Sequence, residues 1–368
     1  MADSDFGVLT VSDDLPVPVA RPVHSGKVRS VYFLRREDSK RLIDERAYAI
    51  DPASDLALMV ISDRLSAFDC LWRGETLDGV PGKGAALNAI AAHWFEGFAR
   101  EGLASHHLVE MPHPLLWVVR QARPMRIEAI ARRYITGSLW RAYAKGERRV
   151  GGVSLPEGLR QYDELPDLLF TPSTKGVIRS VPGVAESDDA PLDPAILRAF
   201  PGAFDLRSAA DVDRCVALLR RGFEHIEAAL AVQGQLLVDT KFEFGLAPAG
   251  DGSEEIIVMD EVGTPDSSRI WDREDWLARA PREHSKEQFR EALLAWVRDR
   301  DVLLDASRMG ERAALARESR LPDRFFTDLG DTYRRQASSL VGRAVDVDPA
   351  PRESLLACLG ELGLLRAR

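Results

Sequence analysis

The alternation of apolar and charged residues between Leu236 and Gly245 predicts a β-strand with one charged face. In the segment LLVDTKFEFG, one face carries valine, threonine and phenylalanines, and the other carries Asp239, Lys241 and Glu243. Burying charges of both signs on one strand face is costly unless something charged binds there. The pattern therefore indicates either a ligand-binding strand or a solvated strand with cross-strand ion pairs.

A second predicted strand, IIVMDEV, ends in Asp260 and Glu261 and is followed by the polar loop TPDSSR. The residues between the two strands, GLAPAGDGSE, are typical of a hairpin connection. An antiparallel hairpin would bring Glu243 towards one of these two carboxylates, and such a pair suits a magnesium ion that bridges to phosphate oxygens. The loop adds Ser267 and Arg269, which a turn can present to a ligand.

Periodicity along the rest of the chain predicts strands early and helices late. Further strands are predicted at 27–34, 56–62 and 116–120, and helices at 84–100, 209–232, 285–300, 321–340 and 353–365. Ser208 and Asp211 predict a capping box for the helix at 209–232, and residues 176–202 predict a long irregular loop. These elements indicate an α+β fold. We expect a β-rich N-terminal domain at 1–123, a central α+β domain at 124–284, and a helical segment at 285–368 that packs on the central domain.

Composition narrows the classes of partner. The chain has 368 residues, of which 45% are apolar and 29% charged, as in an ordinary globular protein. A formal net charge of −9 argues against nucleic acid as the main partner, and no segment approaches the length of a membrane span. The N-terminus is acidic and lacks a secretory signal pattern, so we expect a cytoplasmic protein. A homo-oligomer is compatible with the sequence.

His106, His107 and His113 show no metal-ligand spacing and are predicted to lie on the surface.

Four further segments combine glycine with cations, hydroxyls or carboxylates. Glycine lets backbone N–H groups approach a phosphate closely, and a neighbouring cation adds charge. The residues are Gly26, Lys27, Val28 and Arg29 in HSGKVRSVY, Asp63, Arg64, Ser66 and Asp69 in ISDRLSAFD, Lys83 in PGKG, and Arg132 and Ser138 in RRYITGSLW. No segment matches a P-loop or a dinucleotide-binding fingerprint. Taken singly, each is more simply a turn with a solvated cation.

The order of the segments is more informative than any one of them. The chain resembles the SAICAR synthetase family through GKVRSVY, SDRLSAFD, PGKG, EAIARRYITGSLW, LPEGL, FTPSTKG, VDTKFEFG and DEVGTPDSSRIWD, in that order. The resemblance implies an ATP-grasp-like fold whose small N-terminal β domain and larger α+β domain clasp ATP. It also implies the joining of L-aspartate to the carboxylate of carboxyaminoimidazole ribonucleotide, an imidazole nucleotide, through an acyl phosphate. The products would be the succinocarboxamide, ADP and phosphate.

The resemblance further implies a role for each candidate residue. Lys27, Arg132 and Lys241 would be catalytic, with both lysines on the ATP phosphates, and Glu243 and Asp260 would bind Mg²⁺. ATP would also contact Gly26, Val28, Arg29, Glu128 and Asp260. The residues expected to bind the imidazole nucleotide and L-aspartate are Asp63, Arg64, Ser66, Asp69, Lys83, Arg132, Ser138, Lys175, Asp193, Asp239, Ser267 and Arg269.

The sequence departs from the family pattern after FTPSTK. A histidine–aspartate pair is usual there, whereas this chain has Leu192 before Asp193, an apolar side chain in place of one that titrates and forms hydrogen bonds. Ser30 and Arg133 replace a frequent aspartate and glycine. A specialised relative that uses the same chemistry on a different heterocyclic carboxylate or amine is therefore an alternative, and a non-catalytic nucleotide-binding protein is a more distant one.

Overall fold

A computed structural model of the chain describes residues 7–366 and confirms an α+β fold. The strands are β1 (His24–Ser25), β2 (Arg29–Phe33), β3 (Leu56–Ile61), β4 (Leu65–Ala67), β5 (Cys70–Trp72), β6 (Leu108–His113), β7 (Leu116–Arg120), β8 (Arg123–Tyr134), β9 (Arg149–Val150), β10 (Val153–Ser154), β11 (Glu164–Phe170), β12 (Ser173–Thr174), β13 (Gln235–Pro248), β14 (Glu254–Met259) and β15 (Ser268–Asp272).

The helices cluster in the second half of the chain, as the apolar periodicity predicts. They are α1 (Arg36–Arg46), α2 (Lys83–Arg100), α3 (Gly137–Ala144), α4 (Pro194–Ala199), α5 (Ala209–Val232), α6 (Arg273–Leu277), α7 (Lys286–Trp296), α8 (Asp301–Leu304), α9 (Met309–Glu318), α10 (Arg324–Val341) and α11 (Pro351–Glu361), with short 3₁₀ turns at Pro201–Phe204 and Ala306–Arg308. Among residues 7–366, none of the helices is both long and apolar enough to cross a membrane.

The chain divides into two compact units. Unit 1 comprises residues up to His93, Leu108–Gln121 and the chain from His284 onward. Its main sheet is antiparallel with the order β1-β2-β3-β7-β6, and every residue of β3 is buried. In the same unit, α7 packs near β4, α9 packs against β5 and α11 contacts β6.

The placement of the C-terminal helices corrects the expectation that residues 285–368 pack on the central segment. Unit 1 buries Leu293, Phe326 and Leu355 to 2% exposure or less. An apolar helix stripe shows that a helix needs a partner surface, but it does not identify that surface.

Unit 2 comprises Trp94–His107 and Ala122–Glu283, so α2 begins in unit 1 and ends in unit 2. Its sheet follows the order β11-β8-β13-β14, with β12 paired to β8 and β15 paired to β13. The apolar face of β13 is buried as predicted, since Val238, Phe242 and Phe244 have no exposed surface. The long helix α5 packs against this strand. Its bounds are those predicted from its apolar stripe.

Several local predictions are wrong in detail. The strands of the β13–β14 hairpin continue through Pro248 and resume at Glu254, so the connection is shorter than GLAPAGDGSE. The predicted loop at 176–202 contains the short helix α4. Ser208 makes no side-chain capping hydrogen bond, and Asp211 instead accepts hydrogen bonds from the backbone N–H and guanidinium of Arg207.

The histidine prediction is also wrong. His107 and His113 are buried, and His106 stacks on Phe95 with ring centroids 4.9 Å apart. Imidazole is amphipathic, so its burial depends on neighbours that only the fold supplies.

Candidate active site

The pairing of β8 with β13 creates a row of charged residues in unit 2. Asp239 lies opposite Arg132, and Glu243 lies opposite Glu128. The first pair is complementary, whereas two carboxylates directly opposite each other repel. Asp239 and Glu243 are 5% and 4% exposed, so the row is not the solvated strand face that was the alternative interpretation.

Lys241 and Lys175 together compensate the charges of the two facing carboxylates. Its Nζ donates to Glu128 Oε1 at 2.6 Å and to Glu243 Oε1 at 2.9 Å, and Lys175 Nζ donates to the second oxygen of Glu243. Burial lowers the pKa of the Lys241 ammonium, but the charges of Glu128, Asp260 and Glu261 outweigh burial, so the net effect raises its pKa. Lys241 therefore stays positively charged at neutral pH. We call Glu128, Lys175, Lys241 and Glu243 the lysine–carboxylate cluster.

Asp260, one of the two predicted metal ligands, acts electrostatically on Lys241. It follows β14 with a left-handed backbone (φ 59°). The Glu261 carboxylate accepts a hydrogen bond from Thr264 Oγ1 at 2.6 Å.

Within residues 7–366, no group of three or more His, Cys, Asp or Glu side chains is arranged to hold a metal. Mg²⁺, however, often takes only one or two carboxylates and completes its shell with phosphates and water. Glu243 and Asp260 supply oxygen donors of the type that Mg²⁺ prefers, but both Glu243 oxygens accept hydrogen bonds from lysines in this structure, and their role as metal ligands stays a prediction.

Two arginines share one buried aspartate at the other end of the row. Asp239 Oδ2 accepts from Arg269 Nη1 at 2.6 Å and from Arg132 Nη1 at 3.3 Å, and Arg132 Nε also donates to Thr171 Oγ1 at 2.8 Å. Burial lowers the pKa of the Arg132 guanidinium, and Asp239 opposes that effect. Two guanidinium groups on one carboxylate leave a net positive charge, which suits a phosphate or carboxylate. We call Arg132, Asp239 and Arg269 the arginine cluster.

A glycine allows the close approach of α3 to this cluster. Gly137 has φ 56°, and a Cβ there would lie 2.7 Å from Arg269 Nη2. Ser138 is exposed on the first turn of α3. Ser267 lies in the turn before β15 and bonds with Thr264, while its backbone carbonyl accepts from the N–H of Lys241 at 3.0 Å. The loop is therefore attached to the charged strand by its backbone.

In unit 1, the predicted phosphate-binding segment forms a tight turn before β2. The N–H of Gly26 donates to the carbonyl of Arg29 at 2.8 Å, and Arg64 Nη2 donates to the carbonyl of Gly26 at 3.0 Å. The N–H of Ser62 donates to the carbonyl of Val28 at 2.8 Å. Arg64 therefore holds the turn in place through its hydrogen bond to Gly26.

Lys27 extends from this turn to the β4–β5 hairpin. Its Nζ lies 2.5 Å from Asp69 Oδ1, and both side chains are about half exposed. Ser66 lies on β4 opposite Leu71 in the same hairpin. The structure therefore brings Lys27 to a hairpin that lies about forty residues later in the sequence.

Asp63 and Lys83 lie deeper in unit 1. Asp63 Oδ1 accepts from the N–H of Gly84 at 2.9 Å, and Oδ2 accepts from the N–H of Leu9 at 2.8 Å. Burial raises the pKa of Asp63 to about 6, although these two N–H groups and the Lys83 charge act in the opposite direction. Both side chains are almost fully buried, which indicates that they support the start of α2.

The departures from the family pattern have local structural roles. Leu192 is fully buried, and Asp193 caps α4 by accepting from the N–H of Ala195 at 2.8 Å and pairs with Arg149 at 3.2 Å. The N–H of Ala195 and the Arg149 guanidinium lower the pKa of Asp193. Arg133 forms a two-pronged ion pair with Glu227 on α5, with bonds of 2.9 and 3.1 Å.

Sequence reasoning missed Thr171 and Arg149. Thr171, at the start of the FTPSTK motif, anchors Arg132, and the hydroxyl-rich composition of that motif was the available signal. Arg149 follows a run of charged surface residues, and its pairing with Asp193 gives no signal in the sequence because 43 residues separate the two.

Comparisons with known proteins agree with the order of motifs. A family model described as SAICAR synthetase matches residues 22–301. A curated relative from Vibrio vulnificus, named phosphoribosylaminoimidazole-succinocarboxamide synthase, is 52% identical over 360 residues, covering 97% of this chain and 98% of the relative.

Solved structures show the same fold at lower identity. A SAICAR-synthase from Saccharomyces cerevisiae, complexed with SAICAR, matches with a TM-score of 0.64 at 24% identity, over 92% of this chain and 99% of that chain. A SAICAR synthetase in complex with ADP matches with a TM-score of 0.55 at 18% identity, over 88% and 98% of the two chains.

Proposed function

Because the chain belongs to the SAICAR synthetase family, we propose that it is a phosphoribosylaminoimidazole-succinocarboxamide synthase of purine biosynthesis. It joins L-aspartate to the carboxylate of carboxyaminoimidazole ribonucleotide, consumes ATP and releases ADP and phosphate. A solved relative that binds ADP supports ATP as the phosphoryl donor, and another that binds SAICAR supports the product.

The chemistry requires activation of a carboxylate. A carboxylate oxygen of the imidazole nucleotide attacks the γ-phosphorus of ATP, and the bond to the bridging oxygen of ADP breaks. The amine of L-aspartate then attacks the acyl carbon, phosphate leaves and the amine loses a proton. Phosphoryl transfer of this kind depends on alignment and charge neutralisation rather than on a protein nucleophile.

The lysine–carboxylate cluster is the observation that carries the proposal. Lys241 is held charged between Glu128 and Glu243, and it supplies a fixed cation for the phosphates. Lys27 is the second lysine that we assign to the ATP phosphates. Mg²⁺ bound by Glu243 and Asp260 would neutralise phosphate charge. Gly26, Val28, Arg29 and Glu128 complete the proposed set of ATP contacts.

We assign the substrates to the remaining predicted residues. The arginine cluster binds the phosphate or carboxylate of the imidazole nucleotide, and its anchoring by Thr171 supports that role because it limits side-chain motion. The other proposed substrate contacts are Asp63, Arg64, Ser66, Asp69, Lys83, Ser138, Lys175, Asp193 and Ser267. We further propose that the enzyme is cytoplasmic and has no nucleic acid or membrane partner. A homo-oligomer is compatible with this function.

A specialised relative that uses a different amine is the second candidate. The burial of Leu192 favours it, because an apolar side chain with no exposed surface cannot replace the polar contacts of an imidazole. In addition, Asp193 already caps a helix and pairs with Arg149.

Both candidates are tested by measuring ADP release with ATP, Mg²⁺ and carboxyaminoimidazole ribonucleotide, with L-aspartate or other amines. Aspartate-dependent release with formation of the succinocarboxamide supports the synthase, and release only with another amine supports the specialised relative. Lys241→Met should reduce turnover at least a thousandfold, whereas Lys145→Met, which changes an exposed lysine of unit 2, should not. Absence of ATP turnover under all these conditions would contradict both candidates.

A further inference from the structure

The hairpin that carries Asp69 closes with an unfavourable backbone. Ala67 pairs with Cys70, so Phe68 and Asp69 form the two-residue turn, with φ values of 50° and 62°. Turns of this kind favour asparagine and glycine at both positions, and a left-handed backbone is disfavoured for a bulky aromatic residue. The turn needs support from the surrounding structure to persist.

Arg312 supplies that support from the C-terminal helices. It lies on α9, it is 4% exposed, and it lies beyond residue 301, where the family match ends. Its guanidinium donates to three backbone carbonyls, those of Asp305 at 2.8 Å, Val302 at 3.0 Å and Phe68 at 3.4 Å. A guanidinium has five donors in a rigid plane, which allows it to span three separate carbonyls.

The bond to Phe68 acts on the residue that pairs with Lys27. The Phe68 carbonyl belongs to the planar peptide group that ends at the N–H of Asp69, so holding this carbonyl restricts the backbone of both turn residues. Asp69 Oδ1 in turn holds Lys27 Nζ at 2.5 Å. The charges of Arg312, Asp69 and Lys27 all act on the neighbouring Cys70 thiol, whose pKa is raised mainly by burial.

We propose that Arg312 is a positioning residue that orients Asp69, and through Asp69 the ammonium of Lys27, by holding the Phe68–Asp69 turn. The inference rests on the proposed function for the role of Lys27 on ATP phosphates. According to this proposal, the segment beyond residue 301 helps to position Lys27.

The test combines kinetics with hydrogen exchange on the full-length protein. Arg312→Gln should raise the KM for ATP at least tenfold and leave the KM for L-aspartate within threefold, and backbone amides of residues 65–72 should exchange faster. The matched control is Arg308→Gln, because Arg308 bonds to Asp299 and Glu311 rather than to the hairpin. That control should match the wild type in both measurements.

A second-site substitution distinguishes two roles of Arg312, the positioning of the Phe68–Asp69 turn and the general stabilisation of the fold. Asparagine adopts a left-handed backbone more readily than phenylalanine. Phe68→Asn in the Arg312→Gln background should therefore return the KM for ATP and the amide exchange most of the way to their wild-type values. The proposal is overturned if Arg312→Gln leaves exchange unchanged, if it changes both KM values equally, or if Phe68→Asn recovers neither measurement. If the wild-type protein turns over no ATP, the proposed function fails, and hydrogen exchange alone still decides whether Arg312 holds the turn.

Discussion

At the scale of single residues, the candidate site consists of charges that are tolerable only in combination. Glu128 and Glu243 face each other across two strands, and Lys241 lies between them with bonds to both. Removal of one member of a buried charged group is costly, because the remaining charges lose their compensation. The same lysine that is proposed to act on phosphate therefore also stabilises the fold.

Lys241→Met should lower the free energy of unfolding by about 2 kcal/mol at pH 7, a value reduced from that of a fully buried pair because Lys241 is partly exposed. Urea unfolding of the variant at pH 7 measures this. The double variant Lys241→Met/Glu128→Gln should lie closer to the wild type, and equal losses for the two would contradict the explanation.

The buried carboxyl of Asp63 should make the free energy of unfolding depend on pH. Burial raises its pKa from 3.8 to about 6 in the folded state, so folding favours the protonated form. The stability that this contributes is complete below pH 3.8 and is lost as the pH rises through about 6.

Asp63→Asn should therefore remove a decline on the order of 3 kcal/mol in the free energy of unfolding between pH 4 and pH 7. Urea unfolding across that range tests it, with Asp44→Asn as a control at an exposed aspartate. A decline of the same size in both variants would show that other groups cause it.

At the scale of elements, turns and helix ends determine where the charged side chains are held. The start of α3 lies against Arg269 because Gly137 has no Cβ, and Asp193 starts α4 while it pairs with a residue of β9. In both places, a short element owes its position to contacts with another part of unit 2.

Gly137→Ala should destabilise the protein by about 1 to 2 kcal/mol through its backbone conformation and also reduce kcat/KM at least tenfold, because the new methyl group displaces Arg269. Gly102→Ala is the matched control. Gly102 has a similar φ of 60°, but a Cβ there meets nothing within 4 Å. Thermal unfolding and steady-state kinetics should show the stability loss in both variants and the activity loss in Gly137→Ala alone.

At the scale of the whole molecule, the C-terminal helices belong to the core of unit 1. Leu355 and Leu359 of α11 have no exposed surface, and the N–H of Arg366 donates to the carbonyl of Pro16 at 2.9 Å. Segments from the two ends of the chain therefore complete one compact unit.

Leu355→Ala should lower the free energy of unfolding by about 3 kcal/mol, since it removes buried methyl groups and leaves a cavity. Leu277→Ala should cost less than about 0.5 kcal/mol, because Leu277 is 64% exposed. Denaturant unfolding of both variants gives the comparison. Similar values would show that α11 adds little to the stability of unit 1.

Local patterns in the sequence determined much of this protein. The two-residue period was sufficient to predict the buried face of β13, and the 3.6-residue period was sufficient to predict the bounds of α5. In both elements, side-chain direction follows directly from backbone geometry. The order of the motifs was sufficient to identify the family. The composition of the charged strand predicted that its face needs charged partners or a ligand, because buried charges are costly when they are alone.

Only the tertiary structure decided which residues became partners. The register of β8 with β13 places Glu128 opposite Glu243, and the fold buries Leu192 and returns the last helices to unit 1. Each of these features depends on segments that are far apart in the chain. An apolar or charged side chain does not by itself specify its distant partner. The physical reason is that periodicity determines which face of an element is buried, whereas the packing of the whole chain determines what covers that face.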